Sequence, residues 1–435
     1  MSENILAYAQ GMKEEMIIRR RDFHKYAEVG WTEFRTASIV AETLTTLGYE
    51  VLVGDEVIDN HVMMGVPTVA ELDRHTKRAI EQGANPSWVK KMQGGKTGVV
   101  GIMKFEKPGP TVAMRFDIDA NDAIESEEVA HRPYAEKFAS VNKGAMHACG
   151  HDGHTTVGLA LAKMFATLKG EKCGKIKLIF QPAEEGVRGA KAMVAKGIVD
   201  DVDYMLGMHF GFQMKKTGQL ACNVNGFLAT TKLDAEFTGA PAHAGAAPET
   251  GRNALLAAAA ATTYLHAISR HGQGISRINV GTLHAGTGRN VIPANAVIQL
   301  ETRGATSEIN EYMAHEAHRI IESAATMFNV SVKISEEGGA AGGSNSPQLV
   351  TTTERVAKSL GVFTDIVAEC NFNASEDCSY FMERVQQRGG QAAYVLVGAN
   401  LASGHHDFRF DFDEAALVSG VALIGSVAHE LLAGK

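Results

Sequence analysis

Apolar and polar positions alternate with two different periods along the first half of the chain. Helical spacing covers residues 12–24 and 32–47, and short apolar runs follow. The pattern predicts strands over residues 98–103, 111–115, 175–180 and 204–209, with helices over 155–168 and 190–196 between them. Strands that alternate with helices are typical of a mostly parallel sheet covered by helices on both faces.

The order of predicted elements changes after about residue 225. Strands are expected over residues 230–238, 277–284, 296–303 and 330–335, with helices over 253–270 and 308–328. This order, β-α-β-β-α-β, predicts a small α+β sandwich. A Gly- and Ser-rich run over residues 338–346 is typical of a linker. Strands over 367–369 and 393–398 and a helix over 414–432 then return to the first pattern.

The predicted fold class is therefore α/β: a catalytic domain with a mixed, mostly parallel sheet flanked by helices, interrupted by a small α+β (βαββαβ) domain. With 435 residues the chain exceeds what one hydrophobic core normally holds. We expect the larger domain to comprise residues 1–224 and 340–435, and the smaller one residues 225–339. Residues 60–97 are polar and partly helical, and we interpret them as an insertion in the larger domain.

Charge and targeting signals narrow the classes of function. The formal net charge is −8 and no long basic run occurs, which argues against nucleic acid as the main partner. The N-terminal residues lack the apolar core of a signal peptide, and no run of about 20 apolar residues suggests a membrane span. The five cysteines do not form a disulfide framework. We expect a cytoplasmic protein whose cysteines are buried thiols or metal ligands.

The densest collection of metal-ligand types lies in residues 146–154, Met-His-Ala-Cys-Gly-His-Asp-Gly-His. Cys149 and His151 are two residues apart, so one loop can point both at the same ion pair. A thiolate can bridge two ions because sulfur has more than one lone pair to share. The alternative is that these side chains cap a helix and fill a core.

Two further candidates follow predicted strands. Glu184 and Glu185 lie just beyond the strand that ends at residue 180, where open α/β sheets place their active sites. One carboxylate can bind a metal while its neighbour acts as a base, although the pair can also be a solvated turn. His209 ends the next strand, and by itself an ordinary edge histidine is at least as good an interpretation.

The remaining candidates lie in loops. His405 and His406 are adjacent in a loop flanked by glycine, and they can be ligands or simply exposed. In the small domain, His243 is flanked by small residues, and it can be a turn histidine held by hydrogen bonds. Arg289 and Asn290 can bind an anionic substrate or shape a turn. Together the strand-end segments supply enough nitrogen, oxygen and sulfur ligands for two divalent metal ions.

These motifs resemble one family over nearly the whole chain, from residues 20–24 to residues 410–414. The chain is similar to the co-catalytic metallopeptidases that include carboxypeptidase G2-type enzymes, aminoacylases and auxin-conjugate amidohydrolases. Within them it resembles the branch that uses a Cys-Gly-His segment, here residues 149–151, in place of a bridging aspartate. The insertion at residues 60–97 and the phrases at residues 181–186 and 375–377 are similar to one subgroup that acts on p-aminobenzoyl-glutamate.

The resemblance implies a role for each motif residue. Cys149 would bridge two ions, and His151, Glu185 and His209 would complete the centre. The histidine ligand near the C-terminus would be His406, because the family spacing from this histidine to a Phe and an Asp matches Phe410 and Asp413. The neighbouring His405 is the alternative. Glu184 would be the general base.

The resemblance extends to the small domain and to the residues behind the ligands. His243 would reach across a dimer to polarise the scissile carbonyl in the partner's active site. Asn290, Arg289 and Arg303 would bind the substrate's carboxylates. Asp119 would support a ligand from behind. One departure is Asp117, which occupies the position of a metal-binding histidine in other branches.

The implied reaction is metal-dependent hydrolysis of p-aminobenzoyl-glutamate to p-aminobenzoate and glutamate, with two Mn²⁺ or Zn²⁺ ions as cofactors. One alternative is a broader N-acyl amino acid or dipeptide hydrolase. Another is a subunit that is active only in a complex with a related partner. The expected assembly is a homodimer or a heterodimer with a related subunit.

Overall fold

A computed structural model describes residues 2–167 and 172–433, and it divides the chain into two compact units. The large unit comprises Met1–Asn225, Ser344–Phe372 and Asp377–Lys435, and the small unit comprises Gly226–Gly343 and Asn373–Glu376. The expected boundaries were residues 225 and 339. The structure adds residues 373–376 to the small unit, where the backbone carbonyl of Ala374 accepts a hydrogen bond from the Leu228 N–H.

The elements are as follows in chain order. The helices are α1 (Ser2–Gly11), α2 (Lys13–Lys25), α3 (Phe34–Thr46), α4 (Val69–Glu81), α5 (Pro86–Val89), α6 (Arg132–Ala135), α7 (His151–Thr167), α8 (Gly189–Ala195), α9 (Ala254–His266), α10 (Ser307–Met327), α11 (Pro347–Leu360), α12 (Cys378–Gln387) and α13 (Ala415–Leu432). The strands are β1 (Glu50–Val53), β2 (Val99–Lys104), β3 (Lys107–Asp117), β4 (Cys173–Gln181), β5 (Tyr204–Phe210), β6 (Gln219–Ala221), β7 (Val224–Asn225), β8 (Ala229–Thr238), β9 (Ser276–Ala285), β10 (Asn295–Gly304), β11 (Ser331–Ala340), β12 (Asp365–Val367), β13 (Cys370–Asn371) and β14 (Gln391–Val397).

The large unit is built on an eight-stranded sheet of order β1-β2-β4-β3-β5-β14-β6-β12. Its four central strands, β4, β3, β5 and β14, run parallel to one another. The antiparallel pairs lie towards the edges, where β1 pairs with β2, β2 with β4, and β6 with β14. The predicted mixed, mostly parallel sheet flanked by helices is therefore confirmed.

The helices of the large unit cover apolar strands that are buried on both faces. Nearly every residue of α7 is buried, and α13 is likewise apolar and packs against α7. In the described part of the chain, α13 is the one helix long and apolar enough to cross a membrane, but 72% of its apolar window is buried inside the fold. Such burial is typical of the core helix of a globular protein.

The small unit has the predicted βαββαβ order. Its antiparallel sheet has the order β11-β8-β10-β9, and α9 and α10 pack on one face. Alternate residues of β8 and β10, among them Leu233, Ala235, Ile298 and Leu300, are buried in a core shared with the helices. The period of two along these strands explains why the sequence pattern predicted this unit well.

Five segments differ from the sequence expectation. The N-terminal helix α1 was not predicted, and neither were α11 and α12. The first part of the expected linker over residues 338–346 is the end of strand β11. Of the expected strand over residues 367–369, only residue 367 lies in a strand, at the end of β12, and the other two residues separate β12 from β13. The predicted end of α7 at residue 168 lies outside the described residues.

Candidate active site

Three parallel strands end together at the edge of the large sheet where the predicted ligands lie. β3 ends at Asp117, β4 at Gln181 and β5 at Phe210. Since the strands are parallel neighbours, their carboxyl ends meet at one edge, the usual place for the active site of an open α/β sheet. The segments at this edge carry Asp119, Glu184, Glu185 and His209.

Cys149 and His151 approach the same edge from the loop that opens α7. Gly150 between them has φ of +92°, a conformation that glycine adopts without strain and that turns the loop. The Cys149 Sγ lies 3.4 Å from the His209 Nε2. The side chains of Cys149, His151 and His209, all candidate ligands, are buried. Sulfur and two imidazoles therefore converge on one point.

The two adjacent glutamates face the same histidine. One carboxylate oxygen of Glu184 and one of Glu185 each lie 3.8 Å from the His151 Nε2. On an extended chain the side chains of neighbouring residues point to opposite sides. The chain is not extended here, because Ala183 has φ of +51° and Gly186 φ of +114°. This turn lets both carboxylates reach the cluster.

The structure distinguishes the two adjacent histidines of the late loop. The His406 Nε2 lies 3.4 Å from the Glu185 carboxylate, and its backbone N–H donates to the Ala148 carbonyl. His405 points elsewhere: its ring stacks on Phe212 with centroids 4.1 Å apart, and burial lowers its pKa to about 4. Of the two, His406 lies in the ligand cluster.

Asp119 lies behind two of the predicted ligands. The His151 Nδ1 lies 3.0 Å from the Asp119 backbone carbonyl, and the Glu185 backbone N–H donates to the Asp119 carboxylate over 2.9 Å. Since a carbonyl oxygen only accepts, the hydrogen of the His151 ring is on Nδ1. In the neutral ring, which is the form that can bind a metal, the Nε2 lone pair therefore faces the cluster.

The sequence interpretation missed His154 and the ion network beneath it. The His154 Nδ1 lies 2.5 Å from the Asp117 carboxylate, whose other oxygen accepts from Arg115 over 2.7 Å. The Arg115 guanidinium also donates to Gln181 and to Asp377. Both carboxylate oxygens of Asp117, the residue that departs from the family pattern, are therefore engaged, one by an arginine and the other by a histidine. One available signal was that His154 lies three residues after His151, on the same helix face.

Burial and neighbouring charge set the protonation of the cluster. Burial raises the pKa of the Cys149 thiol well above its usual value, and it raises the pKa of Glu185 to about 7. Burial opposes charge on His151, but the Asp117 carboxylate holds the pKa of that imidazole well above its usual value. For His209, burial and three neighbouring imidazoles lower the pKa well below its usual value.

The donor set fits divalent cations. Ligand atoms of three groups each lie within 4.8 Å of one another: Cys149 with His151 and His209, Cys149 with Glu185 and His406, and His151 with Glu184 and Glu185. Within the described residues, the His151 Nε2 and the Glu185 Oε1 are buried without a hydrogen-bond partner. Buried polar atoms without partners are costly, and a cation among them would satisfy both.

The other predicted residues belong to the small unit. The His243 Nδ1 accepts hydrogen bonds from the backbone N–H groups of Gly245 and Ala246, and the ring is exposed. The Asn290 carbonyl accepts from the Ala244 N–H, so Asn290 lies beside His243, and Arg289 is exposed.

Arg303 is engaged within the small unit. Its guanidinium makes two hydrogen bonds to the Glu301 carboxylate, at 2.9 and 3.1 Å, and a longer one to Ser375. A bidentate ion pair of this kind occupies the donors that would bind a substrate carboxylate. Arg289 is the more available cation of the two.

The chain is similar to enzymes of known name over almost its whole length. It is 48% identical over 427 residues, 98% of each chain, to a subunit of the p-aminobenzoyl-glutamate hydrolase of Escherichia coli. It is also 48% identical over 422 residues, 97% of each chain, to indole-3-acetyl-aspartic acid hydrolase of Enterobacter agglomerans. These relatives confirm the resemblance inferred from the motifs.

A solved structure and a family model agree with these relatives. The crystal structure of the aminobenzoyl-glutamate utilization protein from Klebsiella pneumoniae is similar with a TM-score of 0.83 and 40% identity, covering 98% of this chain and 97% of that one. Residues 113–430 match the model described as Peptidase family M20/M25/M40. The chain is therefore an enzyme, a hydrolase that belongs to peptidase family M20/M25/M40.

Proposed function

We propose that the chain is a two-metal amidohydrolase that cleaves p-aminobenzoyl-glutamate to p-aminobenzoate and glutamate. The observation that carries the proposal is the cluster of five candidate ligands, Cys149 and the four side chains around it, with Glu184 beside them. Two relatives at 48% identity support the substrate class, because their names describe amides between an aromatic acyl group and an acidic amino acid.

The proposed ligand assignment follows two of these groups of ligand atoms. Cys149, His151 and His209 would hold one ion, and Cys149, Glu185 and His406 would hold the other, with the Cys149 thiolate contributing to both. The donor set of sulfur, imidazole and carboxylate suits Zn²⁺ and Mn²⁺. Divalent ions at this position would act as Lewis acids, lowering the pKa of water towards neutrality and polarising an amide carbonyl.

The position of Glu184 supports a role as the general base. Its carboxylate lies at the rim of the ligand cluster and is nearly buried. We propose that it takes a proton from the attacking water and transfers it to the nitrogen of the leaving amine. General acid–base catalysis of this kind contributes about 10²–10⁴-fold to rates.

His243 would stabilise the developing oxyanion. Since its Nδ1 accepts two backbone N–H bonds, the ring hydrogen is on Nε2, and a neutral imidazole with that tautomer can donate to an oxyanion. We propose that His243 acts on the active site of a second protomer, with Asn290 and Arg289 binding substrate carboxylates. Arg303 would contribute only if it left Glu301.

The central experiment is hydrolysis of p-aminobenzoyl-glutamate by the purified chain, first stripped of metal and then refilled with Mn²⁺ or Zn²⁺. The expected result is release of p-aminobenzoate only after refilling. Indole-3-acetyl-aspartate, an acetylated neutral amino acid and a dipeptide are compared in parallel. Preferential turnover of the neutral substrates would refute the proposed acyl-glutamate specificity.

The assembly of the enzyme is a separate proposal. The Escherichia coli relative is named as one subunit of its hydrolase, which supports a partner chain, either a second copy or a related one. We propose a dimer in the cytoplasm, in line with cysteines that form no disulfide within the described residues.

Mixing two inactive variants tests the proposed dimer. In a 1:1 mixture of His243→Ala and Glu184→Gln chains, half of the dimers are mixed, and one of their two sites has both residues intact. About a quarter of wild-type activity should therefore return if His243 acts on the partner's site in a homodimer. No recovery would favour action within one chain or a heterodimer.

A further inference from the structure

The main chain of Phe210 forms hydrogen bonds with three histidine rings. Its N–H donates to the His154 Nε2 over 3.1 Å. Its carbonyl oxygen lies 2.7 Å from the His209 Nδ1 and 3.1 Å from the His405 Nε2. Of these three histidines, only His209 is a proposed ligand, so the other two need a separate explanation.

The main-chain partners fix where each ring hydrogen lies. A carbonyl only accepts, so His209 carries its hydrogen on Nδ1 and His405 carries its hydrogen on Nε2. An N–H only donates, so the His154 Nε2 is unprotonated and accepts the Phe210 N–H through its lone pair. The hydrogen of the His154 ring therefore lies on Nδ1, facing Asp117. The Nε2 of His209 is consequently unprotonated and faces the Cys149 sulfur at 3.4 Å.

Each outer ring is itself held rigidly. His154 is anchored by Asp117, which pairs with the buried Arg115. His405 is stacked on Phe212 with an interplanar angle of 7°. The Phe210 main chain is therefore fixed at its N–H by one rigid ring and at its carbonyl by another.

We propose that His405 and His154 are positioning residues that hold the Phe210 main chain so that His209 presents its Nε2 lone pair to the metal centre. His405 acts through the carbonyl oxygen that it shares with His209, and His154 acts through the N–H. This inference rests on the metal centre of the proposed function. Substituting a residue that orients a metal-binding histidine typically weakens metal affinity about 10–100-fold.

Two substitutions at His405 separate its hydrogen bond from its stacking. His405→Phe keeps a flat ring for stacking on Phe212 but removes the donor to Phe210. His405→Gln keeps a donor at the position of Nε2 but removes the ring. His315→Phe, at an exposed position on α10, is the matched control for loss of an imidazole.

The readouts are the affinity for Zn²⁺ measured by chelator competition, the absorption spectrum of the Co²⁺-loaded protein, and the melting temperature of the metal-free protein. His405→Phe should bind Zn²⁺ about tenfold more weakly and change the thiolate-to-cobalt band, while its metal-free melting temperature stays within a few degrees of wild type. His405→Gln should bind close to wild type, like the control.

Other outcomes would overturn the inference. Wild-type affinity in His405→Phe would show that the bond to Phe210 does not position His209. Equal losses in both variants, in step with the melting temperature, would show a packing role. Failure of the wild-type protein to bind any divalent ion would refute the metal centre itself, and with it the proposed function, whereas failure to cleave the substrate would leave this inference standing.

Discussion

Arg20 offers the sharpest test of what stabilises the large unit. Its guanidinium is fully buried, with Asp152 at 2.8 Å and Asp411 at 2.9 Å, and it lies over the Phe412 ring at 4.5 Å. Arg20→Met keeps most of the side-chain length and removes the charge. Three buried carboxylates, those of Asp152, Asp411 and Glu414, then lose a shared cation.

The expected loss follows from the partners that remain. Removing one member of a buried ion pair typically costs about 3–5 kcal/mol, because the other charge stays desolvated. His24 still bonds Asp152 at 2.8 Å, and Arg132 still bonds Asp411 at 2.5 Å. This residual pairing places the expected loss near the lower limit, about 3 kcal/mol. That is a large part of the roughly 5–15 kcal/mol that stabilises a typical domain.

Urea unfolding of the metal-free protein measures this loss. Both tryptophans of the chain, Trp31 and Trp88, belong to the large unit, so their fluorescence follows that unit alone. Arg355→Met is the control, since the Arg355 pair with Glu430 is at the surface and should matter little. A loss of less than about 1 kcal/mol in Arg20→Met would refute the reasoning, because it would mean that the network relaxes or hydrates without cost.

Three further predictions test the site and the core. Glu184→Gln should lower turnover at least about 10²-fold while the metal content, measured by mass spectrometry, stays at the wild-type value. Burial lowers the pKa of His24, but hydrogen bonds to the carboxylates of Asp152 and Glu125 outweigh it and raise this pKa to about 9. The stabilisation of the fold by protonated His24 is therefore complete below about pH 6.5 and is lost as the pH rises through 9. His24→Gln should flatten this part of the plot of unfolding free energy against pH. Gly158→Ala should destabilise the fold by about 1–2 kcal/mol in urea, because its Cβ would lie 2.7 Å from two phenylalanine rings, and this overlap outweighs the helix propensity gained.

Much of the fold could be predicted because it depends on local periodicity. The βαββαβ order follows from strict alternation in β8 and β10, and the parallel centre follows from strands that alternate with helices. The clustering of Cys149, Glu185 and His209 could also be anticipated, since Glu185 follows one predicted strand, His209 ends the next, and Cys149 lies in the densest run of metal-ligand types. Helices α11 and α12 were not predicted, although the buried apolar residues of α11 recur at helical spacing.

The residues that orient the candidate ligands could not be predicted for a different reason. Arg115 and Asp377 are 262 residues apart, and nothing local in either segment indicates that they pair. The choice between His405 and His406 likewise depends on φ of +65° at His406, which turns adjacent side chains to different surroundings. Ligand types can be found from a sequence, whereas the partners that orient them depend on long-range contacts.

Stability and metal binding should therefore be linked in this chain. Asp152, the partner of Arg20, follows His151 directly and lies in the first turn of α7, where its carboxylate also accepts the Gly153 N–H. The same ion network thus fixes the segment that carries the proposed ligands Cys149 and His151. Because the ligands must be held within about 0.5 Å of their productive geometry, loosening that turn should weaken metal binding even though Arg20 touches no ligand. A variant that lost stability but kept wild-type metal affinity would separate the two roles and show that the ligand loop is held by the sheet edge alone.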